Sequence, residues 1–480
     1  MQRITPGRPW PLFDTAATRR IEQAAAAALP PHTLMQRAGL AVARLALALA
    51  PHARTAWIAC GPGNNGGDGL EAAMHLRQWG KDVRVSWAGD PRRAPADALA
   101  SWTRAREAGV PFIDGPAPSW DLAIDALLGI GSARPLEGRM AEWAQAMNAG
   151  TAPVLAVDLP SGLDADTGCG ASVRATHTLT LLTLKPGLFT AGGRDAAGQA
   201  WLDDLGLPSC DTAPTATLAG PPPVAVSPHA THKGSYGDVA VIGGAHGMGG
   251  AALLAAASAL HAGAGRVFAC LLGDPDFLLD PTQPDLMVRP WDSLDLARMA
   301  VACGCGGGDA IRAALPKVLA TAHSLVLDAD ALNAIATDPQ LQAQLQARGR
   351  RGRPTVLTPH PLEAARLLGS TAAQIQHDRP GAGRELVARF GCVVVLKGSG
   401  SIIAGPQQIP HINPTGNALL ATAGTGDVLA GMVAARLAAG AAPFEAASVA
   451  SYLHGLAADQ WPAGTALTAS ALARALPRRA

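Results

Sequence analysis

The sequence predicts an α/β protein built from two consecutive domains, and three observations carry that expectation. Short apolar runs alternate with longer Ala-rich stretches through both halves of the 480-residue chain, as strands and crossover helices do in parallel sheets. Glycine-rich and acidic motifs follow directly on several apolar runs, where ligands bind in such sheets. Between the halves, residues 208–228 are rich in Pro, Ala and Thr, include Pro221-Pro222-Pro223, and show no periodicity. That stretch reads as a linker, so domains are expected at residues 1–215 and 225–480.

Composition narrows the function. Hydrophobic residues make up 48% and charged residues 16%, which suits a compact soluble protein. The 38 basic and 37 acidic residues leave a net charge of +1, and aromatics are only 4%, so neither a phosphate-seeking field nor a base-stacking surface for nucleic acid is expected. Asp14, Arg19, Arg20 and Glu22 interrupt any signal-peptide core, and residues 38–50 contain Arg44 and are too short to cross a bilayer. Seven cysteines without a C-x-x-C pair imply reduced thiols in a cytoplasmic protein. Cys303-Gly304-Cys305 has no partner ligands nearby in sequence, so no metal is expected there. A homo-oligomer is expected.

In the first half, residues 15–50 read as two helices broken at Leu29-Pro30-Pro31-His32-Thr33. A strand over 55–60 leads into the nine-residue turn Gly61-Pro62-Gly63-Asn64-Asn65-Gly66-Gly67-Asp68-Gly69, and a helix is expected over 70–79 with Gly80 as its cap. Strand, glycine-rich turn and helix make a phosphate-binding corner. Further strands are expected at 82–87, 122–126 and 154–157, giving a Rossmann-like three-layer sandwich. Two more polar motifs fall at strand ends, Asp125-Ala126-Leu127-Leu128-Gly129-Ile130-Gly131-Ser132-Ala133-Arg134-Pro135 and Val157-Asp158-Leu159-Pro160-Ser161-Gly162. Singly, Asp125, Asp158 and Ser161 could be turn residues; three polar motifs on one sheet edge favour a site.

These motifs resemble the NAD(P)HX epimerase domain, the YjeF N-terminal family. The resemblance implies that Asn64, Asn65, Gly66, Gly67 and Asp68 bind the hydrated nucleotide, and that Gly129, Ile130, Gly131, Ser132, Ala133, Arg134, Pro135 and Asp158 contact it. Asp158 is then the candidate proton carrier. The family also implies a potassium ion on Asn65, Asp125 and Ser161, whose oxygens suit a hard cation. Leu127-Leu128-Gly129-Ile130-Gly131 departs from the family's usual aromatic and threonine.

The second half opens on Lys233-Gly234-Ser235-Tyr236-Gly237. Strands are expected at 239–242, 266–272, 299–303, 324–327, 355–357 and 393–396. A glycine-rich stretch over 243–251 precedes a small-residue helix reaching His261, and three helical patterns close the chain. The stretch Gly424-Thr425-Gly426-Asp427 stands out. Its glycines let backbone amides crowd at a helix start, where the dipole favours an anion. Val428, Leu429, Met432, Val433 and Leu437 follow at helical spacing. Asp427 can accept a proton from a hydroxyl facing that anion pocket, or it can simply cap the helix.

Together with Asp328-Ala329-Asp330-Ala331-Leu332-Asn333, Thr358-Pro359-His360-Pro361 and Lys397-Gly398-Ser399-Gly400, these motifs resemble, in order, the ADP-dependent NAD(P)HX dehydratase family within the ribokinase-like superfamily. The resemblance implies that Ala251, Gly308, His360 and Asp427 bind the hydrated nicotinamide nucleotide, that Lys397, Gly398, Ser399, Gly400, Ser401 and Gly426 bind ADP, and that Asp427 is the base. Asp328 and Asp330 become supporting residues near a magnesium ion carried with ADP. The chain departs from the family at Gly304-Cys305-Gly306-Gly307-Gly308 (usually GPGLG), at Asn417-Ala418-Leu419-Leu420 (usually NPGM) and at Leu362. The implied activity is repair of NADHX and NADPHX: epimerisation of the R and S hydrates, then dehydration of S with ADP giving AMP and phosphate. A vitamin-type small-molecule kinase and a non-catalytic nucleotide-binding protein are the rival readings.

Overall fold

The computed structural model describes residues 1–131, 135–207, 212–223, 229–273 and 279–476. The chain divides into two compact units, one of Met1–Thr5 with Trp10–Thr217 and one of Pro6–Pro9 with Leu218–Ala480.

The first unit holds a seven-stranded sheet. Its strands are β1 (Gln2–Arg3), β2 (Thr55–Cys60), β3 (Asp82–Trp87), β4 (Leu122–Ala126), β5 (Val154–Val157), β6 (His177–Leu181) and β7 (Gln199–Asp203). Their order is β1-β7-β6-β5-β4-β2-β3, parallel except for the edge strand β1. Side-chain alternation makes three layers. Helix α1 (Thr15–Ala28) comes first, and Ile58 and Ile124 pack with helices α2 (Thr33–Leu49) and α3 (Asn64–Gln78). Trp57, Ala59 and Ala123 face the other way, into a cluster with Trp143 and Met147. Because both faces are covered, the central strands read as unbroken apolar runs.

The four strands expected here appear with the expected bounds, whereas the turn over 61–69 is only partly a turn. Helix α3 starts at Asn64, so Asn64-Asn65-Gly66-Gly67-Asp68 forms its first turns and Gly63 is the cap. Glycine's poor helix propensity made this segment read as a loop; packing overrides it. A Cβ on Gly66 would lie 2.0 Å from the Gly61 carbonyl, and one on Gly69 would lie 2.6 Å from the Ala126 Cβ. The helix thus sits closer to the sheet than any side chain would allow. Strands β6 and β7 were not anticipated, because threonine and histidine obscure the apolar pattern of His-Thr-Leu-Thr-Leu. The polar Thr178 and Thr180 are themselves buried, with hydroxyls donating to the Ala197 and Thr183 carbonyls.

In the second unit the strands are β8 (Asp238–Gly243), β9 (Arg266–Leu271), β10 (Met287–Val288), β11 (Ala300–Cys303), β12 (Ser324–Leu327), β13 (Thr355–Leu357), β14 (Val393–Leu396), β15 (Ile402–Ala404) and β16 (His411–Ile412). They lie in the order β10-β9-β8-β11-β12-β13-β14-β15-β16. The pairs from β10 to β14 are parallel, and β15 and β16 add antiparallel pairs. Chain direction across the sheet reverses between β8 and β11, which opens a crevice at their C-terminal ends. The six expected strands fall within one residue of the observed bounds.

The late helical patterns are α4 (Thr425–Ala438), α5 (Pro443–Asp459) and a short helix Ala469–Arg474. Val428, Leu429, Met432, Val433 and Leu437 are all buried. Helix α4 touches the earlier helix Gly249–His261 at backbone distance: a Cβ on Gly431 would be 2.0 Å from the Ala255 carbonyl and 2.1 Å from Ser258 Oγ. Gly431→Ala must push these helices apart. It is expected to destabilise the C-terminal unit by about 2–3 kcal/mol, seen as a lower melting temperature for that unit by calorimetry, while Gly440→Ala, with open space around its Cβ position but φ +88, should cost only about 1 kcal/mol.

Candidate active sites

In the first unit a cleft of about 490 Å³ opens at the strand ends. Asn64, Asn65, Asp68, Gly129, Ile130, Gly131 and Asp158 line it, with Arg19, Glu22 and Lys185. The expected residues from three strand ends thus converge. Gly66 and Gly67 do not line the cleft; they face Gly61 and Met35 and serve helix packing. Pro135 is exposed and is not among the lining residues. Ser132, Ala133 and Arg134 lie outside the described residues.

Asp158 follows β5 in the left-handed region at φ +66, a strained conformation for a non-glycine residue. Its carboxylate accepts from the Lys185 ammonium, and its Oδ1 also accepts from Leu181 N at 3.2 Å. Lys185 is 1% exposed and further donates to Thr180 Oγ1 (3.0 Å) and the Leu181 carbonyl (2.8 Å). Every proton of that ammonium is therefore used, and its geometry is fixed. Asp68 has no ion pair of this kind among the described residues. Burial first, then the charge of Asp158 and of Glu22, push its carboxyl well above the usual carboxylate range. Glu22 is raised too, by burial and then by Asp158. A cleft wall carrying a cation-paired Asp158 opposite a proton-retaining Asp68 can supply an acid and a base side by side. A methyl placed on Gly129 would lie 3.1 Å from Asn65 Oδ1 and 3.3 Å from Asp158 Oδ2, so glycine keeps that wall open between the two.

Asp125 and Ser161 form a buried pair behind this wall and do not line the cleft. Ser161 Oγ donates to Asp125 Oδ1 at 2.6 Å, and Ser161 N donates to Oδ2 at 2.8 Å. Burial pushes Asp125 up to about 6, against these hydrogen bonds. The buried Asn65 Nδ2 has no hydrogen-bond partner among the described residues.

The second site gathers at the ends of four strands. Lys397, just after β14, donates to Asp328 Oδ1 at 2.7 Å, just after β12, and lies 3.9 Å from Glu363 Oε2. A Cβ on Gly426 would be 3.2 Å from Lys397 Nζ, so the ammonium stands close against the start of α4. Burial opposes the charge on Lys397, but Asp328 and Glu363 outweigh it and raise the ammonium above its ordinary value. The Asp427 carboxylate stands with Asp328 and the Cys305 thiol, ligand atoms all within 4.8 Å of one another. Burial first and Asp328 second push Asp427 up to about 6, a useful value for a base at neutral pH.

His360 caps the helix Pro361–Leu368. Its Nδ1 accepts from Leu362 N and Glu363 N, while Nε2 lies 3.2 Å from Glu363 Oε1. The two backbone donors place the ring proton on Nε2. Burial, then Lys397, lowers its pKa, and burial raises Glu363 to about 7. Gly308 donates to Asp330 Oδ2 at 2.9 Å, and Ala251 packs under the same loop, where a Cβ on Gly306 would lie 2.9 Å from its Cβ. Gly398 and Ser399 are exposed and Gly400 is buried; Ser401 Oγ donates to the Gly398 carbonyl at 3.1 Å.

Reasoning from sequence missed Lys185, Glu22, Glu363 and Cys305. The Glu363 signal was present, since His-Pro-Leu-Glu has the spacing of a capping box. The expectation that Cys305 lacks ligand-type neighbours is corrected by the fold: Asp328 and Asp427 come from distant strand and helix ends to stand beside it.

Comparison with known proteins follows the same division. A family described as NAD(P)H-hydrate dehydratase matches residues 239–478, and the YjeF-related protein N-terminus family matches residues 31–187. The Bifunctional NAD(P)H-hydrate repair enzyme Nnr of Escherichia coli strain K12 is 37% identical over 447 residues, covering 89% of this chain and 85% of that protein. The protein of the same name from Coxiella burnetii is 33% identical over 470 residues, with 94% of each chain covered. The ADP-dependent (S)-NAD(P)H-hydrate dehydratase of Neisseria meningitidis is 44% identical over 251 residues, covering 51% of this chain and 83% of that protein.

Removing Lys185 would leave Asp158 buried without its cation. Lys185→Met is expected to destabilise the N-terminal unit by about 3–5 kcal/mol, read as a lower melting temperature. The double variant Lys185→Met/Asp158→Leu should recover most of that loss, because both charges then leave together.

Proposed function

The chain belongs to the family of bifunctional NAD(P)H-hydrate repair enzymes, and we propose that its two strand-end sites divide the two reactions between them. The protein is a bifunctional NAD(P)H-hydrate repair enzyme, with an epimerase domain and an ADP-dependent dehydratase domain.

The boundary between the two activities is taken at residues 215–225. The cleft around Asp158 serves epimerisation. Asp68, kept protonated by burial and by Asp158, donates a proton to the departing ring hydroxyl as the C–O bond breaks, and the ring nitrogen's electron pair closes an iminium. Water returns to the opposite face while Asp158 accepts its proton. Solvent exchange resets the two carboxyls. Lys185 holds Asp158 in place throughout.

Asn65, Asp125 and Ser161 offer amide, carboxylate and hydroxyl oxygens. The charge that burial disfavours on Asp125 would be offset by a hard monovalent cation such as potassium held on these oxygens. Bound there, such an ion would supply positive potential beneath the nucleotide's phosphates.

The cluster around Asp427 serves dehydration. Hydroxide is a poor leaving group, so the ring hydroxyl is first phosphorylated. Asp427 takes the hydroxyl proton as the oxygen attacks the terminal phosphorus of ADP and AMP departs. Phosphate then leaves from carbon as the ring nitrogen's electron pair closes an iminium, the neighbouring carbon gives up a proton to solvent, and the double bond of NAD(P)H returns. Lys397 and the amides at Gly424–Gly426 offset charge on the moving phosphoryl group. A magnesium ion carried with ADP would screen the phosphates near Asp328 and Asp330. Ala251, Gly308 and His360 would frame the nicotinamide nucleotide, and residues 397–401 the ADP. The observation that carries this reading is Asp427, raised by burial and without an ion pair among the described residues, at a glycine-lined helix start beside Lys397.

With S-NADHX and ADP, Asp427→Asn is expected to lower the appearance of reduced nicotinamide by at least about a hundredfold, while interconversion of the epimers, followed by chromatography, continues. Loss of both activities would contradict separate sites. In the intact enzyme, protonation of Asp427 on lowering the pH through about 6 removes the base, so dehydratase kcat/KM should fall on the acid side of about pH 6 and level off above it.

A further inference from the structure

We infer that Arg379 is a positioning residue for ADP binding: its buried guanidinium holds the end of β14 so that the amide of Gly398 is turned towards the nucleotide. This rests on the reading of residues 397–401 as the ADP turn. Arg379 opens the helix Arg379–Phe390 and is 1% exposed, yet no step of either reaction uses it.

Its Nη2 donates to the Leu396 carbonyl at 3.2 Å and to the Lys397 carbonyl at 3.3 Å, and its Nη1 donates to the Lys397 carbonyl at 3.3 Å and to Gln376 Oε1 at 2.7 Å. A trans peptide sets its C=O and N–H on opposite sides. With the Lys397 carbonyl on the guanidinium, the Gly398 N–H is therefore turned away from Arg379, and it has no partner among the described residues. The Leu396 carbonyl on the same group turns the Lys397 N–H away in the same manner, to the Pro359 carbonyl at 2.9 Å. Gly398 then takes φ +138, a conformation that glycine adopts without Cβ strain. A Cβ there would meet Arg379 Nη1 at 2.7 Å and Nη2 at 2.9 Å, so the guanidinium fills the space beneath the turn. An anion held on the turn thus lies above a permanent positive charge.

A second buried arginine separates this role from plain structural support. Arg348 is also 1% exposed. It donates to the carbonyls of Leu319, Ala322, His323 and Pro354 and to Thr355 Oγ1. The acceptors at 322–323 and 354–355 lie at the N-terminal ends of β12 and β13, the edge of the sheet opposite the site. Both arginines hold main chain together; of the two, Arg379 does so at the C-terminal strand ends, where Lys397 and Asp328 meet.

Isothermal titration with ADP, steady-state kinetics and hydrogen–deuterium exchange of the full-length protein test this. In the wild type, ADP should slow exchange of the amides at 398–401. In Arg379→Met those amides should exchange faster, and Kd and KM for ADP should rise about tenfold, the size of one hydrogen bond to a charged group, with KM for S-NADHX within about twofold. Arg348→Met should lower the melting temperature and leave both ADP values unchanged. Faster exchange without a change in ADP affinity, or no protection by ADP in the wild type, would remove the reading of 397–401 as the ADP turn, and the proposal with it. Unchanged exchange at the turn, or an equal rise in KM for both substrates, would overturn the role of Arg379 and leave that reading in place. Should Arg379→Met fail to fold, Arg379→Lys, which keeps the charge but reaches fewer of these oxygens, carries the same readouts, with an intermediate rise expected for ADP and no rise overturning the proposal.

Discussion

A parallel sheet covered on both faces has only one place for polar chemistry, the C-terminal ends of its strands, and both units of this protein obey that constraint. Asp125 closes β4, Asp158 follows β5, and the Gly61 corner follows β2. In the other unit Gly244, Cys305, Asp328, His360 and Lys397 each stand within three residues of a strand end. Residues far apart in the chain meet because adjacent parallel strands deliver their ends to the same edge. In this way Lys397 after β14 reaches Asp328 after β12, two strands away.

Placing carboxylates there is costly, since burial disfavours their charge. The two units meet the cost in the same way. Each locks one aspartate to a lysine, Asp158 to the buried Lys185 and Asp328 to the part-buried Lys397, and each leaves a second aspartate with no ion pair among the described residues. Those second groups, Asp68 and Asp427, are the ones whose protonation burial shifts upward. A locked ion pair therefore builds each site, and beside it stands a carboxyl on which burial holds the proton more tightly. Glycine is the third component. At Gly426 it leaves Lys397 close against the start of α4, and at Gly129 it keeps the cleft open between Asn65 and Asp158.

Much of this was legible in the sequence, and for physical reasons. Strands buried on both faces read as continuous apolar runs, so Thr55–Cys60 and Val393–Leu396 could be bounded closely. The stretch 424–427 showed itself through glycine chemistry that a helix start with an anion pocket requires. Where the reading failed, long-range packing decided. The glycines of 66–69 looked like loop, yet they let a helix press on the sheet. Lys185 carries no local signal, because its importance comes from Asp158, 27 positions away. Cys305 looked isolated for the same reason: its partners Asp328 and Asp427 are neighbours in space alone.

The central claim is that one chain holds two independent sites, the first feeding the second the epimer it can use. It is tested most directly by the time course of NADH recovery from an equilibrated mixture of R- and S-NADHX with ADP, using Asp158→Asn. The account predicts a fast burst equal to the S fraction, followed by a slow phase at the rate of uncatalysed epimerisation. Recovery of both epimers in a single fast phase, the behaviour expected of the unmodified protein, would contradict it.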